Sequence, residues 1–155
     1  IINRALLPSF LARDAGVLIH LSSVAGYLPT PFGATYSATK AGLWLYNEAL
    51  ATEYTHTQLK FVSVHPAFVH GVGMHERHKA KAGRAPLILG STDAETVVDA
   101  ITRALLKGPK LKSGPVIVNR NPTRPVIALF HAAPRLIRAL IAKLARPYLE
   151  RVARR

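Results

Sequence analysis

A chain of 155 residues, 49% hydrophobic and 19% charged, has the composition of one globular domain rather than of a disordered segment. The absence of cysteine excludes a disulfide scaffold, a thiolate metal site and a cysteine nucleophile, and is compatible with a reducing compartment. The formal charge of +13 invites an acidic partner, but much of the excess lies in Arg135, Arg138, Lys143, Arg146, Arg151, Arg154 and Arg155, set against the single acid Glu150. No nucleic-acid signature and no basic stripe interleaved with stacking aromatics is present, so a nucleic-acid role is set aside. No apolar run reaches the length of a membrane span, and the first residues do not follow the secretory pattern.

Ile1, Ala5, Leu6, Phe10 and Leu11 recur at three-to-four spacing, so the sequence is expected to open inside an amphipathic helix that Asp14-Ala15-Gly16 stops. With Met74 as its one methionine, the chain is weighed as a truncated one. Val17-Leu18-Ile19-His20-Leu21 follows as a nearly continuous apolar run, the pattern of a strand buried on both faces of a parallel sheet. Helix, glycine turn and buried strand together predict an α/β layer fold. Ser22-Ser23 close the strand, and a loop broken by Gly26, Pro29, Pro31 and Gly33 leads to a second helix from Tyr36 to about Tyr54. Leu59 to His65 reads as a second strand, and Pro66 to Gly90 as a long irregular stretch of the kind that serves as a lid. Thr92-Asp93-Ala94-Glu95 is a capping-box start for a helix buried through Val97, Val98, Ile101 and Leu105 and stopped by Lys107-Gly108. Pro115 to Asn119 is a third short strand. Leu136, Ile137, Leu140, Ile141 and Leu144 then form an apolar stripe among basic residues until Pro147. Residues 1–122 read as the α/β unit and 123–155 as a basic amphipathic helical tail.

The chemistry gathers between Leu18 and Lys40. Tyr36 and Lys40 stand at i and i+4 on the second helix, so their side chains leave one face. An ammonium within roughly 4–6 Å of a phenol favours the phenolate, and a tyrosine so tuned exchanges protons with a substrate oxygen. Ser23 lies at the carboxyl end of a strand, where open α/β sheets place ligands, and its hydroxyl is suited to hold a carbonyl or alkoxide. A tyrosine and lysine at this spacing are common by chance. The small residues Ser37, Ala38 and Thr39 between them, and the serine pair thirteen positions ahead of Tyr36, make this pair distinctive.

Ser22-Ser23-Val24-Ala25-Gly26 followed by Tyr36-Ser37-Ala38-Thr39-Lys40 resembles the active-site signature of the short-chain dehydrogenases/reductases. The resemblance, over about Ile1 to Asn119, implies that Tyr36 is the catalytic acid/base, that Ser23 orients the reacting oxygen, and that Lys40 tunes the tyrosine and binds the nicotinamide ribose. His65-Pro66-Ala67-Phe68-Val69 is similar to the loop that holds the nicotinamide, so Pro66, Ala67 and Val69 join Tyr36 and Lys40 as implied cofactor-binding residues. Ala67 replaces the usual glycine, and Gly71 stands where a threonine is usual. The implied fold is a Rossmann-like doubly wound parallel sheet of which this sequence carries the second half, because the glycine-rich turn, the Asn-Asn-Ala-Gly segment and the catalytic asparagine would precede Ile1. A chain ending there is expected to leave a sheet edge open, and so to aggregate or pair.

The implied activity is carbonyl–alcohol interconversion with NAD or NADP. The alternative is a non-catalytic or degenerate partner held at a membrane by its tail. Phe32, Phe68 and Val72 lean toward a small hydrophobic alcohol or ketone as substrate. Self-association through the helices at Ile1–Arg13 and Tyr36–Tyr54 is a further implication. Location is read as cytoplasmic, with peripheral membrane attachment through the tail as an added expectation. His65, His70, His75 and His78 with Glu76 invite a metal reading, set aside because the expected loop gives no frame for tetrahedral ligation. A serine hydrolase is set aside for want of a Gly-x-Ser-x-Gly elbow.

Overall fold

The computed structural model describes residues 2–83, 85–107, 110, 112–119 and 123–153, without the side chains of residues 78–81. The expected stop at Gly108, the His78 side chain, Arg154 and Arg155 lie outside the described residues. The chain runs α1 (Ile2–Arg13), β1 (Val17–Leu21), α2 (Ala34–Glu53), β2 (Lys60–Pro66), β3 (Phe68–His70), α3 (Gly73–Ala82), β4 (Ser91–Asp93), α4 (Ala94–Lys107), β5 (Gly114–Val118), α5 (Thr123–Ala132), α6 (Pro134–Leu144) and α7 (Arg146–Ala153).

The apolar runs around Val17 and Phe61 form parallel strands because β-branched residues fill a surface covered from both sides. The order is β1-β2-β5, with Leu21 beside Val64 and Val64 beside Val116. Alternation along β2 divides its neighbours. Val62 and Val64 pack with Val118 of β5 and with Val97, Ala100 and Ala104 of α4. On the other side, Phe61 packs with Leu18, Leu50 and Leu59, and Leu7 and Phe10 of α1 lean on that group. Helices on both faces make this the expected α/β, Rossmann-like doubly wound sheet. Within the described residues β1 has one neighbour, β2, and its other side is an edge.

A third core lies at the end of the sheet. Val24, Tyr27 and Leu28 pack with Ala82, Ile127, Ile137, Ile141, Ala145, Tyr148 and Leu149, so α5, α6 and α7 lie over the segment that follows Ser23. Ile137 and Ile141 of the tail stripe are buried there, whereas Leu136, Leu140 and Leu144 are exposed. Pro147 does not end the helical region: it sits in the first turn of α7, where a missing N–H costs nothing.

Four other expectations are corrected. Residues 66–90 are not one irregular stretch but hold β3, α3 and a 3₁₀ turn, with β3 pairing in parallel with β4. In α4 Val97 is buried and Ile101 packs against the same core, as expected, but Ala100 and Ala104 complete the buried face while Val98 and Leu105 are exposed. The cap is Asp93, whose Oδ1 accepts from Thr96 N at 2.7 Å and from Thr96 Oγ1 at 2.7 Å. In α1 the residues facing the core are Leu7 and Phe10, with Leu6 and Leu11 exposed.

Candidate active site

β1 ends at Leu21, and the next two residues turn the chain across the carboxyl end of the sheet. Ser22 N donates to Val64 O at 2.8 Å, which extends the ladder by one rung, and Ser22 Oγ donates to Lys40 O at 2.9 Å. Ser23 is extended (φ −163°, ψ 158°) and caps the 3₁₀ turn Val24–Gly26, its Oγ accepting from Ala25 N at 3.2 Å. The same hydroxyl donates to Pro66 O at 3.3 Å.

Gly26 explains how this turn meets α2. A Cβ there would stand 2.9 Å from the Lys40 carbonyl carbon and 3.0 Å from Ala41 N, so only glycine lets the turn rest on the helix backbone. Gly26 and Ser22 Oγ thus fix the two segments at the Lys40 peptide. Lys40 Nζ donates to Leu21 O at 2.9 Å and hangs 5.7 Å from the centroid of the Tyr36 ring. Tyr36 is 40% exposed, in the first turn of α2. Tyr36 and Lys40 are therefore brought together, with Ser23 held at the adjoining strand end. No hydrogen bond joins Ser23 to Tyr36 directly.

The loop after β2 is tied to the tail. Ala67 N donates to Asn119 Oδ1 at 3.0 Å, and Asn119 Nδ2 donates to Thr123 Oγ1 at 3.0 Å, with Thr123 buried. Val69 leans on the core around Val62 and Val64. Phe68 packs inward, edge-on to Tyr148 at 5.7 Å and 4.9 Å from the His75 ring. Phe32 and Val72 are exposed, and Phe32 holds φ 62°, a left-handed conformation unfavourable for a bulky residue, just ahead of α2. Gly71 has φ 81° with open space at its Cβ position, and its N–H donates to Glu76 Oε2 at 3.0 Å.

Three residues outside the predicted site set, His65, Ser63 and Tyr27, surround the Ser23 backbone. His65 is fully buried, with Nδ1 3.2 Å from Ser23 O and Nε2 2.8 Å from Ser63 Oγ. Because a carbonyl only accepts, Nδ1 carries the proton and Nε2 accepts from Ser63. Burial, and secondarily the Lys40 ammonium, outweigh the Ser23 hydrogen bond and lower the His65 pKa to about 4, so the ring is neutral at pH 7. Tyr27 lies 4.7 Å from the His65 ring with its hydroxyl 3.5 Å from Nε2, and burial followed by Glu48 raises its pKa, keeping it a phenol. The sequence signal was available: Ser63 and His65 are two polar residues on one face of a strand interior, and buried polar groups need partners. The His70 and His75 rings meet at 5.2 Å, and His75 Nδ1 lies 3.0 Å from Tyr148 Oη; among the described residues no three potential ligands converge. No helix among the described residues is long and apolar enough to cross a membrane.

Comparison with known proteins gives this site a setting. Residues 1–82 match the family described as short chain dehydrogenase. Ketoacyl reductase HetN of Nostoc sp. (strain PCC 7120) is 33% identical over 121 residues, which are 78% of this chain and 40% of that protein. A 3-oxoacyl-[acyl-carrier protein] reductase with bound NAD from Brucella melitensis superposes with a TM-score of 0.61 at 21% identity, over 79% of this chain and 46% of that one. The closed form of a serine dehydrogenase complexed with NADP+ gives 0.61 at 23% identity, over 74% and 48%. The chain thus spans about half the length, or less, of the proteins it resembles, and the solved structures establish the fold alone. With a family match over more than half of its residues, the chain belongs to the short-chain dehydrogenase family of oxidoreductases.

Proposed function

We propose that the chain carries the proton-transfer centre of an oxidoreductase that interconverts a carbonyl and an alcohol, with a 3-oxoacyl ester or a similar hydrophobic ketone as substrate. The observation that carries this reading is the position of Lys40. Its ammonium is held by Leu21 O and lies over the ring of an exposed tyrosine, while the Lys40 peptide is fixed by Gly26 and Ser22.

The residues suit a nicotinamide dinucleotide, NAD or NADP, at its ribose end. One of the three N–H donors of Lys40 is engaged by Leu21 O, and the others are left for ribose hydroxyls. When bound, the nicotinamide supplies or accepts the hydride. Tyr36 gives its proton to the substrate oxygen as negative charge develops there, and takes it back in the oxidative direction. Ser23 turns its hydroxyl from the 3.3 Å contact with Pro66 O to the same oxygen. Pro66, Ala67 and Val69 form the backbone beside the nicotinamide. Ala67 N is already engaged by Asn119, so Ala67 contributes shape rather than a donor. Phe32 and Val72 offer apolar surface to the acyl chain. The exposed Leu6, Leu11 and Leu45 on α1 and α2 are the surface for a second copy.

The test is reduction of a 3-oxoacyl thioester by the protein with NADH or NADPH, followed by the loss of reduced nicotinamide. Stoichiometric appearance of the 3-hydroxyacyl product is expected with one of the two cofactors. Absence of turnover with both, across short and long acyl chains and with simple ketones, leaves the chain as a non-catalytic binding partner and overturns this reading.

A further inference from the structure

Ser23 has no covalent constraint beyond its own backbone, yet its hydroxyl must point correctly for the proposed chemistry. Two neighbouring residues at the end of β2 meet Ser23, one at the hydroxyl, which leaves it for the substrate oxygen in the proposed reaction, and one at the backbone carbonyl. Pro66 O accepts from the Ser23 hydroxyl at 3.3 Å, and His65 Nδ1–H donates to the Ser23 carbonyl at 3.2 Å. That carbonyl also accepts from Gly26 N at 3.0 Å, the bond that closes the 3₁₀ turn. The His65 ring is itself fixed: Ser63 Oγ donates to Nε2 at 2.8 Å, and Tyr27 packs on it at 4.7 Å. Ser63 and His65 belong to one face of β2, and both are fully buried. A buried imidazole must pair both ring nitrogens in any case; what singles out His65 is that its donor goes to the carbonyl of Ser23.

We infer that His65 is the positioning residue for Ser23, with Ser63 fixing the imidazole tautomer that donates to the Ser23 carbonyl. The relay runs Ser63 O–H to Nε2, then Nδ1–H to the Ser23 carbonyl, and no proton leaves it during turnover. Without the Nδ1 donor, the carbonyl keeps only the turn bond from Gly26, and the Ser23 residue gains freedom to rotate away from the reacting oxygen. Asparagine at position 65 places its amide N–H near the position of Nδ1 and preserves the bond, whereas leucine removes it at similar bulk. The inference rests on Ser23 acting in the proposed reaction, but the hydrogen bond is testable apart from it.

The experiment has two readouts on the same proteins: kcat and KM for 3-oxoacyl thioester reduction, and the exchange rate of the Ala25 amide, which bonds to Ser23 Oγ at 3.2 Å. His65→Leu is expected to lower kcat about tenfold with KM within about twofold, as for loss of an interaction used in the transition state. His65→Asn is expected to recover kcat to within about threefold of the parent. Ser63→Ala serves if the leucine variant fails to fold; it should lower kcat about threefold and speed Ala25 exchange. Unchanged kcat in His65→Leu, or equal losses in the leucine and asparagine variants, overturns the inference. If the parent shows no turnover, the proposed reaction fails, and the inference is judged by the second readout together with the ¹⁵N resonances of His65. A protonated Nδ1 at pH 7 and faster Ala25 exchange in His65→Leu sustain it; a protonated Nε2, or unchanged exchange, sinks it.

Discussion

The two faces of β2 are built from alternate residues of one strand and do different work. Val62 and Val64 are fully buried against α4 and neighbouring valines, with no polar atom among their side chains. Ser63 and His65 are as deeply buried on the other face, and each has a hydrogen-bonding partner there. Equal burial therefore has two meanings. The valine face holds the sheet to its helix by apolar contact, which is non-directional and tolerant of small shifts. The serine and histidine face gains little net stability from its hydrogen bonds but fixes direction, because a bond to one carbonyl specifies one orientation. Ser23, the residue proposed to orient the reacting oxygen, lies next to the second face.

The apolar face of β2 is the less able of the two to accept a charge. Val64→Asp would place an unpaired charge in the α4 core and is expected to lower the unfolding free energy by about 4 kcal/mol, read from urea unfolding. The polar face is expected to show itself in acid. The folded-state pKa of His65 is near 4 against 6.5 for the free group, so between these values the unfolded chain binds a proton that the folded one does not. The stabilisation from keeping the ring neutral is complete above pH 6.5 and is lost as pH falls through about 4, by up to roughly 3 kcal/mol. His65→Asn should flatten that part of the stability–pH curve; an unchanged curve would mean that other groups govern acid unfolding.

Gly26→Ala comes next in size. Its Cβ would meet the Lys40 backbone at 2.9 Å, where no flexible side chain can yield, and a cost of about 2 kcal/mol with reduced turnover is expected. The smallest effect belongs to the tail surface. Leu136 is 59% exposed while Ile137, its neighbour, is buried, so Leu136→Gln should change stability by no more than about 0.5 kcal/mol whereas Ile137→Ala costs about 3 kcal/mol. Thermal melts of the two variants separate the faces of α6.

Local patterns were the legible part of this chain. The strand at Val17, the helix bearing Tyr36 and Lys40, and the serine pair at a strand end depend on near neighbours in sequence, and their spacing can be read directly. α3 could not be read that way: Gly73–Ala82 has little apolar periodicity, and the helix is anchored by tertiary contacts of His75 with Tyr148 and Phe68. The buried face of α4 was read only in part, because Val97 and Val98 are equally apolar, and only the sheet decides which faces inward. His65 drew attention as a possible metal ligand, since histidines clustered in sequence suggest ligation. Its partner is a carbonyl 42 residues away, reached because β1 and β2 pair in parallel. The tail stripe was visible, but the division of its isoleucines from its leucines came from where the third core lies.

In the proposed reaction Tyr36, under the Lys40 ammonium, transfers the proton. Tyr36→Phe keeps the ring and removes the hydroxyl, so the decisive measurement is kcat for carbonyl reduction in this variant beside its affinity for the nicotinamide cofactor. A fall in kcat of at least about 100-fold is expected, with cofactor affinity within about threefold of the parent. Turnover that survives the substitution to within about threefold would contradict it and place the proton donor elsewhere.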